Sequence, residues 1–260
     1  MFQIFKKQPV LEEDIISWLF SAYAWSLRNI RSSHFDKIQL IEPTNRFFSG
    51  RETSEHGMAE LIFEQVKSYV GVSDWPCQLI DRHIYDETRW PVVNIKAALA
   101  SLDQQEKLPL IILFEPLQAR NPEVMIANYV YALSYHLADL AQEPLPCDME
   151  QWPCLLELIG VYLGFGVMFV NTASPKKAGG CGSCRSPLME RQGQLSEDEV
   201  TYALAIFCVL KGIPTKQVTP LLKGYQRAFF KRALNDVMVR KDSIENLQLT
   251  VQSPQQLSAD

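Results

Sequence analysis

The chain has 260 residues, of which 47% are hydrophobic and 21% are charged, and its formal net charge is −5. This balance is typical of a soluble globular protein with a sizeable core, built as one large domain or two small ones. The acidic charge and the lack of a concentrated basic block argue against a dedicated nucleic-acid-binding protein, so no nucleic-acid partner is expected.

The N-terminal stretch does not have the pattern of a secretory signal. Lys6 and Lys7 are followed by a proline and acidic residues instead of an apolar core and a cleavage site. The most hydrophobic run, residues 158–170, is too short to span a bilayer, so no membrane partner is expected. The six cysteines are scattered over the chain, which is typical of thiols that stay reduced or bind metal. We therefore predict a cytoplasmic protein.

The first half of the chain predicts two helices and a small sheet. Residues 11–31 and 58–70 have apolar residues at helical spacing, and Gly71 is a typical helix terminator. Four short runs rich in Leu, Ile and Val have the composition of strands, namely residues 37–41, 78–82, 91–95 and 110–115. The last run is apolar almost throughout, and we interpret it as a buried central strand.

The second half of the chain is predicted to be mainly helical. Residues 121–140 form one helix, and the almost wholly apolar residues 150–171 form a second helix that should be buried. Ser196 and Glu199 have the spacing of a capping box, which begins a third helix. A last helix is expected from Thr219 to about residue 240, with a proline at its first position.

These elements predict an α+β fold in a single domain, residues 1–241. A small sheet in the N-terminal half, about residues 37–115, packs on a mainly helical C-terminal half, about residues 122–241. The polar tail, residues 242–260, has little apolar periodicity, and we expect it to be loosely ordered.

One carboxylate stands out in the apolar second helix. Glu157 is the only charged residue between Glu150 and Lys176, and burial of a lone carboxylate is costly unless it is paired or protonated. Because that helix is apolar on nearly every face, both sides of the preceding helix should be covered. The expected result is one partly buried polar pocket that contains Tyr135, His136, Asp139 and Glu157.

The stretch ALSYHLADL resembles the AHELAHV-type helix of a bacterial zincin-like family of uncharacterised proteins. In zincin-type metallopeptidases, HExxH places two histidines on one helix face around zinc, with glutamate as the general base. A later helix of the form TDLLxVxLGxG follows in this family, and LLELIGVYLGFGVMFVN is similar to it. The resemblance covers roughly residues 40–240 and implies a zincin-like layout of the fold.

The motif positions themselves depart from the family. Tyr135 stands where the first histidine is needed, His136 where glutamate is needed, and Asp139 where the second histidine is needed. Only the acidic third ligand remains, as Glu157. A phenol and two carboxylates make a poor zinc site, and the general-base carboxylate is missing. We therefore predict a non-catalytic pseudo-metallopeptidase that acts through binding to an unknown protein partner. The alternative is a divergent metal-dependent hydrolase that uses His136, Asp139 and Glu157.

A second candidate site is the CxxC motif of Cys181 and Cys184, which lies in a glycine-rich loop. CxxC flanked by glycine is a common half of a structural zinc site and is equally common as a redox pair. Cys147 and Cys154 could complete a set of four thiolate ligands. Three interpretations stay open, which are a plain loop with free thiols, a structural zinc site and a redox sensor. Zinc is the candidate cofactor.

Overall fold

The computed structural model of the protein describes residues 10–30, 32–104, 107–173 and 193–252. The fold is mostly helical, at 62%, with a two-stranded parallel sheet in its N-terminal half. This arrangement confirms the α+β prediction at the level of fold class.

The strands are β1 Cys77–Asp81 and β2 Leu110–Phe114, and Leu79 lies opposite Ile112 in their register. The helices are α1 Glu13–Asn29, α2 Glu55–Val70, α3 Ile95–Ala100, α4 Pro122–Asp139, α5 Trp152–Gly160, α6 Gly166–Thr172, α7 Glu197–Leu210, α8 Thr215–Val218, α9 Gly224–Val239 and α10 Lys241–Gln252. A π-helical segment joins α5 to α6, and short 3-10 helices occur at Ser32–Lys37, Pro116–Arg120 and Thr219–Leu221.

The centre of the core is the helical run from α5 to α6, in which every residue between 155 and 171 is buried. Helix α4 packs along both α5 and α6, α7 packs on α6, and α9 packs on α7. By length and composition, Trp152–Thr172 could also cross a membrane, with a mean hydropathy of 1.9, but 89% of its apolar window is buried inside the protein. This burial is typical of a core helix, as the sequence predicted.

The core helical run is broken at Gly164, which has a φ of +95°. A Cβ atom at this position would overlap the backbone carbonyl oxygen of Gln39, so the two segments approach this closely only because the residue is glycine. The Gly164 carbonyl accepts a hydrogen bond of 2.9 Å from the Ile41 backbone N–H. The strand predicted for residues 37–41 is therefore wrong, because this segment bonds to a break in a helix and not to a strand.

Two further predictions about the sheet are corrected. Residues 91–95 are not a strand, because the Asn94 side chain accepts a hydrogen bond of 2.8 Å from the Ala97 N–H and begins α3. The strand predicted at 110–115 is present as β2, but it is not central. It pairs with β1 alone in the part of the chain that the structure describes.

The last helices also differ from the prediction. The helix expected from Thr219 begins as a 3-10 helix, and α9 starts only at Gly224. Residues 242–252, expected to be loosely ordered, belong to α10, which buries Ile244 and Leu247 in the core and packs on α1. The apolar residues of this segment are few but have helical spacing, and α1 supplies their partner surface. Residues 253–260 lie outside the described residues.

Candidate functional site

Glu157 is fully buried, and its carboxylate binds the backbone that leads into α7. Its Oε1 accepts a hydrogen bond of 2.9 Å from the Gln194 N–H, and its Oε2 accepts one of 3.1 Å from the Leu195 N–H. Both amides directly precede Ser196, the residue that caps α7. These backbone donors replace the hydrogen bonds to water that the carboxylate loses on burial, so Glu157 has a structural role in the core.

Tyr135 and Asp139 both lie on the protein surface. The Tyr135 side chain is 49% exposed, and its ring packs edge-to-face on His136 and Trp152, with centroids 5.4 Å and 5.9 Å away. Asp139 is exposed at the last residue of α4. Glu157 is buried in the core, whereas Tyr135 and Asp139 lie at the surface beside His136.

His136 is half-buried beside Trp75, with the ring centroids 6.4 Å apart. Its Nδ1 atom is buried and has no hydrogen-bond partner in the part of the chain that the structure describes. Burial lowers the pKa of this imidazole, and the nearby Asp139 carboxylate raises it by a smaller amount. The neutral ring is therefore the favoured form in the folded protein at neutral pH.

The predicted metal ligands do not come together as a group. Among the residues that the structure describes, no cluster of three or more His, Cys, Asp or Glu side chains could hold a metal ion. His136, Asp139 and Glu157 are all in that part, so they do not form the ligand set that the divergent-hydrolase alternative requires.

Two of the four cysteines of the candidate zinc site lie in the part of the chain that the structure describes. Cys181 and Cys184 lie outside the described residues, so the zinc and redox interpretations of the CxxC motif stay predictions. Cys147 and Cys154 are half-buried, and burial raises the pKa of the Cys147 thiol. A raised pKa makes the thiolate form, which binds zinc, less available.

His136 lines a cavity of about 390 Å³ that lies against β2. The cavity floor is formed by Ile111 and Leu113, which point away from the core, and Leu113 is 37% exposed. One wall is the loop after β1, and the other is His136 of α4. We call this cavity the His136 cleft, and its lining residues are Tyr85, Glu87, Val92, Val93, Ile111, Leu113 and His136.

One face of β2 lines the His136 cleft, and one edge of β2 has no strand partner within the described ranges. Within the described ranges β2 has β1 as its one strand partner, so the opposite edge of β2 has none. Parallel strands are usually covered on both faces, whereas the outer face of this pair is open at Leu113. An unpaired strand edge next to an apolar cleft can accept an added strand from another chain.

An acidic residue and a histidine lie just after the carboxyl ends of β2 and β1. The backbone stays extended through Glu115, so Glu115 is on the same face as Ile111 and Leu113. Glu115 is only 4% exposed, and its Oε1 lies 3.1 Å from Nε2 of the exposed His83. Its second oxygen, Oε2, is buried and has no hydrogen-bond partner among the described residues.

His83 and Glu115 were not predicted from the sequence, although a signal was present. Glu115 directly follows the apolar strand β2, and His83 comes two residues after the end of β1. The carboxyl ends of parallel strands meet at one edge of a sheet, where ligands often bind. The backbone N–H of His83 donates a hydrogen bond of 2.9 Å to Asp81 Oδ1, which shapes the turn that brings the ring to Glu115.

Comparisons of the chain with known protein families, with curated proteins and with solved structures find no match. The zincin-like family therefore remains a resemblance of the two helices and the segments after them.

Proposed function

We propose that the protein is a non-catalytic, zincin-like binding protein, and that the His136 cleft takes an extended segment of a partner protein. The proposal rests on where the structure places the motif residues. Glu157 is engaged with two backbone amides in the core, whereas His136 lines an open cleft beside β2. A helix that has lost its catalytic residues but still borders a cleft is suited to binding.

The edge of β2 that has no strand partner in the described residues supports an extended partner. A strand added to a sheet edge gains main-chain hydrogen bonds, and its alternate side chains enter pockets on one face. The floor residues Ile111 and Leu113 are two apart on the same face, so they offer apolar contacts at the spacing of alternate side chains. The partner segment is therefore expected to carry apolar residues at every second position.

The charges at the cleft favour a basic residue in the partner. Glu87 is an exposed carboxylate in the lining of the cleft. An arginine or lysine side chain of the partner can pair with it, and hydrogen bonds between charged groups are stronger than neutral ones. The formal net charge of −5 would attract such a segment from a distance.

The direct test is a binding assay with synthetic peptides. The probe is a fluorescein-labelled peptide of alternating valine and threonine that ends in an arginine amide, measured by fluorescence anisotropy. Leu113→Asp should weaken binding by about tenfold or more, because it places a charge in the apolar floor. Leu249→Asp, at an exposed leucine on α10, is the matched control and should bind like the wild type.

A second peptide tests the charge preference. Replacement of its arginine by glutamate should weaken binding, and Glu87→Gln should reduce the difference between the two peptides, because it removes the carboxylate that lines the cleft. Equal binding of both peptides, or equal effects of the two leucine substitutions, would overturn the proposal.

The non-catalytic part of the proposal has a separate test. The wild-type protein is incubated with the peptide, with and without added zinc, and the products are measured by mass spectrometry. The peptide should stay intact in both cases. Cleavage that disappears in Asp139→Asn would instead support a hydrolase, and this exposed substitution leaves the core unchanged.

A further inference from the structure

Every second residue of β2 points its main-chain groups away from β1. The Arg82 N–H donates a hydrogen bond of 2.9 Å to the Phe114 carbonyl, so the main chain of Phe114 faces β1. Main-chain groups alternate in direction along a strand, so Ile111 and Leu113 present theirs to the opposite side. We call that side, with the main-chain groups of Ile111 and Leu113, the outer edge of β2.

The main-chain groups of the outer edge are unpaired in the described structure. Within the described ranges, neither Ile111 nor Leu113 has a main-chain hydrogen bond to a residue outside the β1–β2 pair. Leu113 is 37% exposed, and Ile111 is half-buried. Backbone N–H and C=O groups are nearly always bonded to protein or to water, so these donors and acceptors are available to an added strand.

A second copy of β2 satisfies all of these groups at once. Ile111 and Leu113 lie one position on either side of Ile112, so a two-fold axis at Ile112 places Ile111 of one copy opposite Leu113 of the other. Opposite residues of this kind in an antiparallel ladder exchange two hydrogen bonds, and the symmetry makes two such pairs. No main-chain group of the outer edge then remains unpaired.

The side chains along the outer edge also match those of a second copy. In the antiparallel pair, Ile111 of one copy packs beside Leu113 of the other on the cleft face, so the floors of two His136 clefts become continuous. Leu108 and Leu117 lie at opposite ends of β2 and are 44% and 37% exposed. The antiparallel direction brings Leu108 of one copy to the end that carries Leu117 of the other, which groups exposed apolar residues together.

The charges at the two ends of β2 favour the antiparallel direction. Lys107 is exposed shortly before the strand, and Glu115 directly follows it. An antiparallel copy places the basic end of one strand beside the acidic end of the other, whereas a parallel copy places like charges together. The charge pattern therefore selects the direction, and the main-chain groups select the register.

We propose that the outer edge of β2 binds the same edge of a second copy of the chain, in a two-fold symmetric dimer with the strand order β1–β2–β2–β1. The inference rests on the proposed function, because it names the extended segment that pairs with β2. That segment should carry alternate apolar residues and a basic residue, and β2 supplies Ile111, Leu113 and the preceding Lys107. The contact is small, so the dimer is reversible.

Sedimentation velocity of the full chain tests the dimer, over a series from about 1 μM to about 500 μM that suits a small interface. The mean sedimentation coefficient should rise with concentration towards the value of a dimer. Leu113→Lys places a charge at the outer edge of both copies and should raise the dimer dissociation constant about tenfold or more. Leu249→Lys, at an exposed leucine of α10, is the matched control and should dimerise like the wild type.

Circular dichroism checks that both lysine variants are folded. A chain that is monomeric at every concentration would overturn the proposal, and so would equal effects of the two substitutions.

A disulfide tests the register of the two strands. Ile111→Cys/Leu113→Cys places two thiols directly opposite each other in the dimer, with Cα atoms about 5.5 Å apart, which is within the range of a disulfide. After incubation with oxidised glutathione, peptide mass spectrometry should find a bond between position 111 of one copy and position 113 of the other. The single variant Ile111→Cys is the control and should link far less. Equal linking of both variants would overturn the register.

The peptide of the binding assay separates this inference from the proposed function. Unlabelled peptide should dissociate the dimer, because both need the outer edge of β2. A chain that binds the peptide but stays monomeric would overturn the second-copy assignment and leave the proposed function intact. A dimer that is weakened by Leu113→Lys in a chain that binds no peptide would support the second copy and overturn the peptide proposal.

Discussion

The carboxylate of Glu157 and the backbone N–H of Leu195 form a hydrogen bond of 3.1 Å across 38 positions of the chain. This bond connects the centre of the core to the start of α7. It also accounts for a fully buried acidic side chain in a helix that is otherwise apolar. A residue that resembles a metal ligand in sequence therefore acts as a backbone anchor in the fold.

Loss of the Glu157 carboxylate should destabilise the protein strongly. Glu157→Ala leaves the amides of Gln194 and Leu195 without these acceptors, and because the Leu195 amide is buried, the free energy of unfolding should fall by about 1–3 kcal/mol. Urea denaturation followed by circular dichroism measures this value. Asp139→Asn, an exposed change in the same motif, should stay within about 0.5 kcal/mol of wild type. Similar stability of both variants would contradict the anchoring role.

The break at Gly164 should tolerate no side chain. Gly164→Ala combines a positive φ with an overlap on the Gln39 carbonyl, and a loss of about 2–5 kcal/mol is expected. Gly212 is the control, because its φ is +62° but nothing lies within 4 Å of an added Cβ. Gly212→Ala should therefore cost only about 1–2 kcal/mol. Equal losses in thermal denaturation would mean that the close approach of Gln39 is unimportant.

Stability should depend on pH through His136. Burial lowers the pKa of this imidazole below 6.5, so the unfolded chain takes up a proton before the folded protein does. The stability is fully present above pH 6.5 and is lost as the pH falls from there to the folded pKa. Urea midpoints between pH 7.5 and about 5 should therefore fall less in His136→Gln than in wild type.

A substitution of Asp139 tests the pKa of His136 independently. Its carboxylate raises the pKa of His136, so Asp139→Asn should lower that pKa further. Titration of the His136 ring signals by NMR measures the change directly. A higher His136 pKa in Asp139→Asn would contradict the proximity of the two side chains.

Two thiols should be unreactive in the native protein. Burial raises the pKa of Cys208 to about 12 and that of Cys77 to about 11, and the thiolate is the form that reacts with iodoacetamide. At pH 8, both cysteines should remain unmodified in the folded protein and react fully in urea, as measured by peptide mass spectrometry. Rapid labelling of Cys208 in the native protein would show that α7 is not packed as described.

Local signals in the sequence were sufficient for most helices. The capping box of Ser196 and Glu199, the stop at Gly71 and the apolar spacing of α1 all predict elements that the structure contains. These signals work because a helix is stabilised by contacts between residues three or four positions apart, which are close together in the sequence. The α+β class followed in the same way, from strand-like runs before a helical half.

The site depended on contacts between residues far apart in the chain. The strand-like residues 37–41 bond to Gly164 and not to the sheet, because the Ile41 N–H donates to the Gly164 carbonyl. The carboxylate of Glu157 accepts hydrogen bonds from amides that lie 37 and 38 positions later in the chain. Composition does not indicate which distant backbone will supply a hydrogen bond, because that depends on the packing of whole helices. Tertiary structure alone therefore decided that Glu157 bonds to the backbone before α7, that His136 borders a cleft, and that β2 pairs only with β1 among the described residues.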